Sequence, residues 1–229
     1  MSPPPADPIA VLFDIDGTLV DSNYLHIDAW DRAFVEAGHP VDVWRIHRAI
    51  GMDSGKLLER LLGEDAEAVG DTVKQAHARN YSETTDRLRA FASARELLGE
   101  LSRRGHRVVL ATSAPQEELD ALLAVLDVPD AVDAVTSGED VEAAKPEPDL
   151  VNVAVERAQV TPERALLVGD SVWDIYSASR AGVRSVGVRS GGYSSEELLA
   201  AGAVAVYDDV ADLLAHLEES PIVASTYEI

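Results

Sequence analysis

Cysteine is missing from all 229 residues. The chain can therefore form no disulfide and no thiolate metal site, and a reducing cytoplasm is the expected compartment. Basic residues are scarce: 19 Lys and Arg stand against 41 Asp and Glu, a formal net charge of −22. So acidic a chain has little hold on a phosphate backbone or an anionic membrane surface, which argues against nucleic acid and membrane as partners. Small anions remain possible, because one local cation can govern a pocket. No apolar stretch reaches the length of a membrane span. The opening "MSPPPADPIAVLF" lacks the basic start and long apolar run of a signal peptide, and its prolines suit a flexible tail. What is present is ordinary: 46% hydrophobic and 26% charged residues, enough for one core with a modest insertion.

Four short runs rich in Val and Leu read as buried parallel strands: "IAVLFD" (9–14), "RVVLAT" (107–112), "ALLVGD" (165–170) and "RSVGV" (184–188). "AVDAVTS" (131–137) and "AVAVY" (203–207) are weaker candidates. Helical patterns alternate with them, at 93–105, 116–127 and 149–158. This alternation predicts an α/β fold with a doubly wound parallel sheet, whose chemistry gathers at the carboxyl ends of the strands. Residues 23–89 break the rhythm, with helical patterns at 23–38, 42–50, 54–63 and 64–85 and no good strand. The expected organisation is a core of 1–22 and 90–229 carrying an inserted all-helical module, 23–89, placed to act as a lid.

In "LFDIDGTLVDS", Asp14 and Asp16 stand at the end of the first strand and Gly17 allows a tight turn. Carboxylates crowded in this way raise each other's pKa unless a cation or a hydrogen-bond network intervenes. Hard oxygen ligands suit Mg²⁺, with Asp170 of "VGDSVWD" as a further carboxylate from another strand end and Asp174 supporting it from behind. Lys145 of "EAAKPEPD" can neutralise both carboxylates and a phosphate, although alone it reads as a surface lysine. Thr112, Ser113 and Ala114 precede Pro115 at a helix start, where a hydroxyl and free backbone N–H groups form an anion cradle. Glu117 and Glu118 suit the positive end of that helix dipole.

"DIDGTLVDS", "VVLATS", "KPEP" and "GDSVWDI" resemble, in order and approximate spacing, the four motifs of the haloacid dehalogenase superfamily, and the helical insertion resembles that family's cap of the first type. The resemblance implies Asp14 as the nucleophile that takes the phosphoryl group and Asp16 as general acid and base. It also implies Mg²⁺ on Asp14, Asp170 and the Asp16 backbone carbonyl, with Asp174 behind them. Thr112 and Lys145 would hold the phosphoryl oxygens, and Thr18 would orient groups in the first loop beside the substrate. The acid at Asp16 favours phosphoryl transfer over dehalogenation. Lys56 and Lys74 carry no signature of the phosphonate-cleaving branch, which leaves Lys56 as a substrate-contact candidate only.

His26 matches a cap-helix histidine of β-phosphoglucomutase, and Ser22, Trp30 and Gly51 match in kind or place. Ser54, however, stands where the mutase has a sugar-phosphate-binding arginine, with Arg45, Arg48 or Lys56 as possible substitutes. "GGYSSEELLAAGAVAVYDD" (191–209) resembles phosphoglycolate-phosphatase-like members. The expected function is a Mg²⁺-dependent phosphatase acting on a small phosphorylated metabolite, such as phosphoglycolate or a sugar phosphate. A phosphosugar mutase is the alternative; a phosphorylation-receiver domain and a non-catalytic binding protein fit the residues less well.

Overall fold

A computed structural model describes residues 9–141 and 145–224; the proline-rich start, expected as a tail, lies outside the described residues. Among them, β1 (Ala10–Phe13), β2 (Arg107–Ala111), β3 (Ala134–Thr136), β4 (Ala165–Gly169), β5 (Arg184–Val188) and β6 (Ala205–Tyr207) form one sheet in the order β3-β2-β1-β4-β5-β6. Each neighbouring pair is parallel. The two weaker strand candidates are therefore the two edges, where three-residue strands need less apolar sequence than a fully buried one.

β1 shows why the central strands read as unbroken apolar runs. Val11 and Phe13 pack on one face of the sheet, and Ala10 and Leu12 pack on the other. The first face is covered by α5 (Ala94–Arg103), α6 (Gln116–Leu126) and the helix Val210–Ala215, the second by α7 (Asp149–Ala158) and α8 (Val172–Arg180). The chain leaves β1 toward β2 and β3, then returns to β4 on the other side. The split at β1 is a topological switch point, and it opens a crevice at the strands' carboxyl ends. Register places Asp14, Thr112 and Asp170 around that crevice, because β1 is paired with β2 on one flank and β4 on the other.

Between β1 and β2 lie α1 (Asn23–Glu36), α2 (Val43–His47), α3 (Ser54–Leu62) and α4 (Ala66–Ser82). They have an apolar cluster of their own, including Trp30, Phe34, Ile46, Leu57, Leu61 and Val73. Leu25, Ala29 and Tyr81 belong instead to the cluster on the sheet, so the helical module is rooted in the core by α1 and the end of α4. Its far side reaches the core through polar contacts. Lys56 meets Glu147 at 2.5 Å, Arg48 meets Glu197 at 2.6 Å, and His47 Nε2 lies 2.9 Å from the Gly191 carbonyl oxygen.

Leu12 is fully buried at the centre of the sheet, where truncation leaves a cavity that rigid neighbouring strands cannot close. Leu12→Ala should lower unfolding free energy by about 2–5 kcal/mol in urea titrations.

Candidate active site

Asp14 follows β1 and Asp170 follows β4, and both carboxylates are buried. Asp174 sits in the first turn of α8, where Ser171 caps the helix. One oxygen of each of these three acids lies within 4.8 Å of the others. Lys145 stands against them with 2% exposure, in contact with Asp14 and 2.7 Å from Asp174. Burial pushes the Asp14 carboxyl well above the usual carboxylate range despite Lys145, and Asp174, Asp170 and Asp16 push it further. Burial and then Asp174 raise Asp170 to about 7, against hydrogen bonds from Asn23 and Thr18. Burial alone would lower the pKa of Lys145, but Asp14 and Asp174 outweigh it and hold the ammonium charged.

One lysine thus faces three buried carboxylates, and further positive charge would relieve them. A compact all-oxygen donor set of this kind suits a hard divalent cation. The residues fit that group, although each carboxylate already has partners: Thr18 and Asn23 donate to the two oxygens of Asp170 at 3.0 and 2.8 Å. Both oxygens of Asp174 are engaged, one by Lys145 and the other by the backbone N–H and hydroxyl of Ser171 at 3.1 and 2.6 Å. Gly17, with φ +75°, closes the turn beneath them. A Cβ there would fall 2.2 Å from the Asn23 amide and 2.5 Å from Asp170 Oδ2.

Asp16 turns the other way. Its carboxylate accepts from Ser22 at 2.6 Å and lies 3.3 Å from His26 Nε2. Burial works to raise its pKa, but the His26 hydrogen bond and charge, the Ser22 hydroxyl and Lys145 bring it below the ordinary carboxylate value. Burial likewise opposes the charged form of His26, and Asp16 overcomes it and raises the imidazole. On its other side, His26 Nδ1 lies 3.2 Å from His77 Nε2. Burial, then the charge of His26, press His77 down to about 2, so it is neutral and can accept the His26 N–H. The three groups form a line from cap to core, Asp16–His26–His77. It is flanked by ring stacking of His26 on Tyr81 (3.9 Å) and of Trp30 on His77 (4.0 Å).

All of this surrounds one cavity of about 380 Å³ between the sheet's carboxyl edge and the helical module. Asp14, Asp16, Thr112, Ser113, Ala114 and Lys145 line its floor, and His26, Trp30, Gly51, Leu57, Lys74 and His77 its cap side. Gly51, with φ +93°, rides directly on the core, since a Cβ would stand 2.7 Å from Ser171 Oγ.

Some of the expected residues stand elsewhere, or are engaged otherwise than expected. Thr18 is fully buried behind the carboxylates and donates to Asp170 at 3.0 Å; it holds that carboxylate and does not line the cavity. Lys56 is paired with Glu147 and is not on the cavity wall. The Ala114 N–H donates to Thr112 Oγ1 at 3.0 Å, so it is not a free anion donor. The buried Ser113 Oγ is unpartnered among the described residues and remains available. The Asp16 side chain is not among the gathered carboxylates. Asn23, His77 and Tyr81 were not anticipated. The spacing of His77 and Tyr81, four apart on α4, puts them on one helix face, but nothing in the chain says which helix that face will meet.

Residues 10–182 match the model of a hydrolase family, described as haloacid dehalogenase-like hydrolase. A phosphoglycolate phosphatase of Rhodospirillum rubrum is 35% identical over 217 residues, spanning 90% of this chain and 89% of the relative. A phosphorylated carbohydrates phosphatase of Thermotoga maritima is 30% identical, spanning 86% and 93%. In structure, a hydrolase from Pseudomonas syringae superposes with a TM-score of 0.87 at 34% identity, over 92% of this chain and 98% of that one.

His77 carries a measurable signature. Neutral in the fold and ordinary, near 6.5, when unfolded, it makes the folded state bind fewer protons below that pH. The stability tied to it is present above pH 6.5 and drains away as pH falls toward its folded value of about 2. Wild type should lose about 1.4 kcal/mol per pH unit relative to His77→Phe below about pH 6. Urea titrations across that range check this, and parallel pH profiles would show a histidine that charges freely in the fold.

Proposed function

The chain belongs to the haloacid dehalogenase-like hydrolase family, and from that premise we propose a phosphatase that cleaves a small phosphate monoester through a phosphoryl group held covalently on Asp14, with Mg²⁺ bound. The observation that carries this reading is the opposite environment of two acids in one cavity. Asp14 is pressed against Lys145 among carboxylates, and Asp16 is held apart on His26.

In the first step a carboxylate oxygen of Asp14 attacks phosphorus and the bond to the ester oxygen breaks. That oxygen needs a proton, and Asp16 is the acid in position to give it. The raised His26 and lowered Asp16 share one proton across their 3.3 Å contact, so the imidazolium can hand it to Asp16 as the alcohol leaves. In the second step Asp16 takes a proton from water, the hydroxide oxygen bonds to phosphorus, and the acyl phosphate bond to Asp14 breaks. Lys145, the Thr112 hydroxyl and the Ser113 hydroxyl lie where charge develops on the phosphoryl oxygens. The ion would be held by Asp14, Asp170 and the Asp16 carbonyl, and it supplies charge neutralisation to the phosphoryl group. Thr18 and Asn23 fix the Asp170 carboxylate, and Asp174 fixes Lys145.

We assign residues 23–89 the role of a cap that closes over the cavity. The Lys56–Glu147 and Arg48–Glu197 pairs and the His26–Asp16 contact support it, since each joins the helical module to a core segment. The phosphatase is preferred to the mutase because no arginine lines the cavity among the described residues, and a mutase must hold a second phosphate there. Arg48, a candidate substitute, is committed to Glu197. A chain free of cysteine and with no described helix able to cross a membrane accords with a cytoplasmic setting.

Asp14→Asn should lower kcat by about a thousandfold or more while leaving the unfolding midpoint measurable; near-normal turnover would end the nucleophile assignment. Asp16→Asn should accumulate phosphoprotein from an ester with a good leaving group and release it slowly, which quench-flow labelling would show. Mg²⁺ should raise Tm of the wild type and not of Asp170→Asn, and chelation should stop turnover until Mg²⁺ is restored.

A further inference from the structure

The chemistry just proposed occupies the floor of the cavity. The remaining wall, beyond Asp16 and His26, must receive the leaving alcohol, and its charge is unusual. Glu118 lines the cavity from the first turn of α6. The sequence reads it only as an acid suited to the positive end of the helix dipole; in the fold it is half-buried and feels the charges of His26 and Asp16. Its carboxylate makes no hydrogen bond or ion pair with any described residue. The cations around it are otherwise committed: Lys145 to Asp14 and Asp174, and His26 to Asp16. The other lysine of the lining, Lys74, is on the exposed side of α4 at the rim, where solvent screens it. Trp30, Ile50, Met52 and Leu57 supply an apolar flank.

A carboxylate or second phosphate on the substrate would lie near the Glu118 carboxylate, with only the solvent-screened Lys74 to offset it. An ammonium group would be drawn to Glu118, but pairing the two would desolvate a charge on each side. A neutral, hydroxyl-bearing group has neither problem. Its hydroxyls can donate to Glu118, which closure of the cap would otherwise leave unpaired and desolvated. Its carbon faces can lie along the apolar flank.

Resting on the phosphatase reading, we propose that Glu118 determines specificity by accepting hydroxyl hydrogen bonds from the leaving group, and that the substrate is a monophosphate of a neutral polyol or sugar, not a phosphorylated carboxylic acid and not a bisphosphate. A site built to bind hydroxyls discriminates strongly against analogues that lack them, because its own polar group is then left unsatisfied.

The experiment measures kcat/KM with Mg²⁺ for glycerol phosphate and hexose monophosphates, phosphoglycolate, a hexose bisphosphate and ethanolamine phosphate, with p-nitrophenyl phosphate as a generic ester. Wild type should favour at least one polyol or sugar monophosphate over phosphoglycolate and the bisphosphate by about tenfold or more. Glu118→Gln removes charge and keeps hydrogen-bonding capacity; Glu118→Leu removes both. The ratio of sugar monophosphate to phosphoglycolate should fall about tenfold in Glu118→Gln and further in Glu118→Leu. Such ratios cancel any loss of folded protein. Preference of the wild type for phosphoglycolate, the bisphosphate or ethanolamine phosphate, or ratios that the two variants leave unchanged, would overturn the inference while p-nitrophenyl phosphate turnover still upheld the phosphatase. No turnover of any ester, p-nitrophenyl phosphate included, would overturn both.

Discussion

The structure turns on a buried ammonium. Lys145 is almost wholly removed from water, and its charge is retained because Asp14 and Asp174 surround it. Such a cluster is costly to desolvate, and its worth for stability is small compared with what it arranges. Removing one member strands the others as unpaired charges in a low-dielectric site. The sheet order makes the cluster possible, since β1 and β4 are direct neighbours and deliver Asp14 and Asp170 side by side. The loop before α7 then has to bring Lys145 across the crevice, and the backbone N–H of Asp53 from the helical module bonds to the Lys145 carbonyl oxygen at 2.9 Å. Core, loop and module therefore meet at the one residue that neutralises the site.

From this cluster follows a division of labour between acids two residues apart. Asp14 shares its surroundings with Asp170 and Asp174, and burial with like charge raises it. Asp16 has left that company, and Ser22 and His26 lower it. Both acids come from the same turn, so the difference is entirely environmental. Pairs of titratable groups pushed in opposite directions are what acid–base chemistry at neutral pH requires.

The helical module supplies half of that environment. His26 reaches Asp16 only because α1 leaves the turn directly after Ser22, and two side chains of α4 hold it, Tyr81 stacked on its face and His77 at its edge. The neutral His77 behind it gives the His26 Nδ1–H an acceptor and so leaves Nε2–H for Asp16. Displacing the module would withdraw His26 from Asp16 and uncover the cavity together, which in the proposed mechanism couples proton delivery to exclusion of water.

Much of this was legible in the chain. The apolar runs before Asp14, Thr112 and Asp170 marked buried parallel strands, and parallel strands bring their carboxyl ends to one edge whatever packs around them. The helical character of residues 23–89 was legible too, because hydrophobic period is local information; Lys145, a surface lysine by its own sequence, drew a role only from the family resemblance. The sequence could not say which way each side chain would face once the elements packed. Thr18 turned behind Asp170, Lys56 became a tie to Glu147, and Glu118, read only as an acid at a helix start, came to line the cavity. His77 and Tyr81 meet His26 across some fifty residues of chain. Strand and helix are set by neighbours in sequence; the facing of one helix on another, and with it the Asp16–His26–His77 line and the wall of the cavity, is set by long-range packing that only the tertiary structure decides.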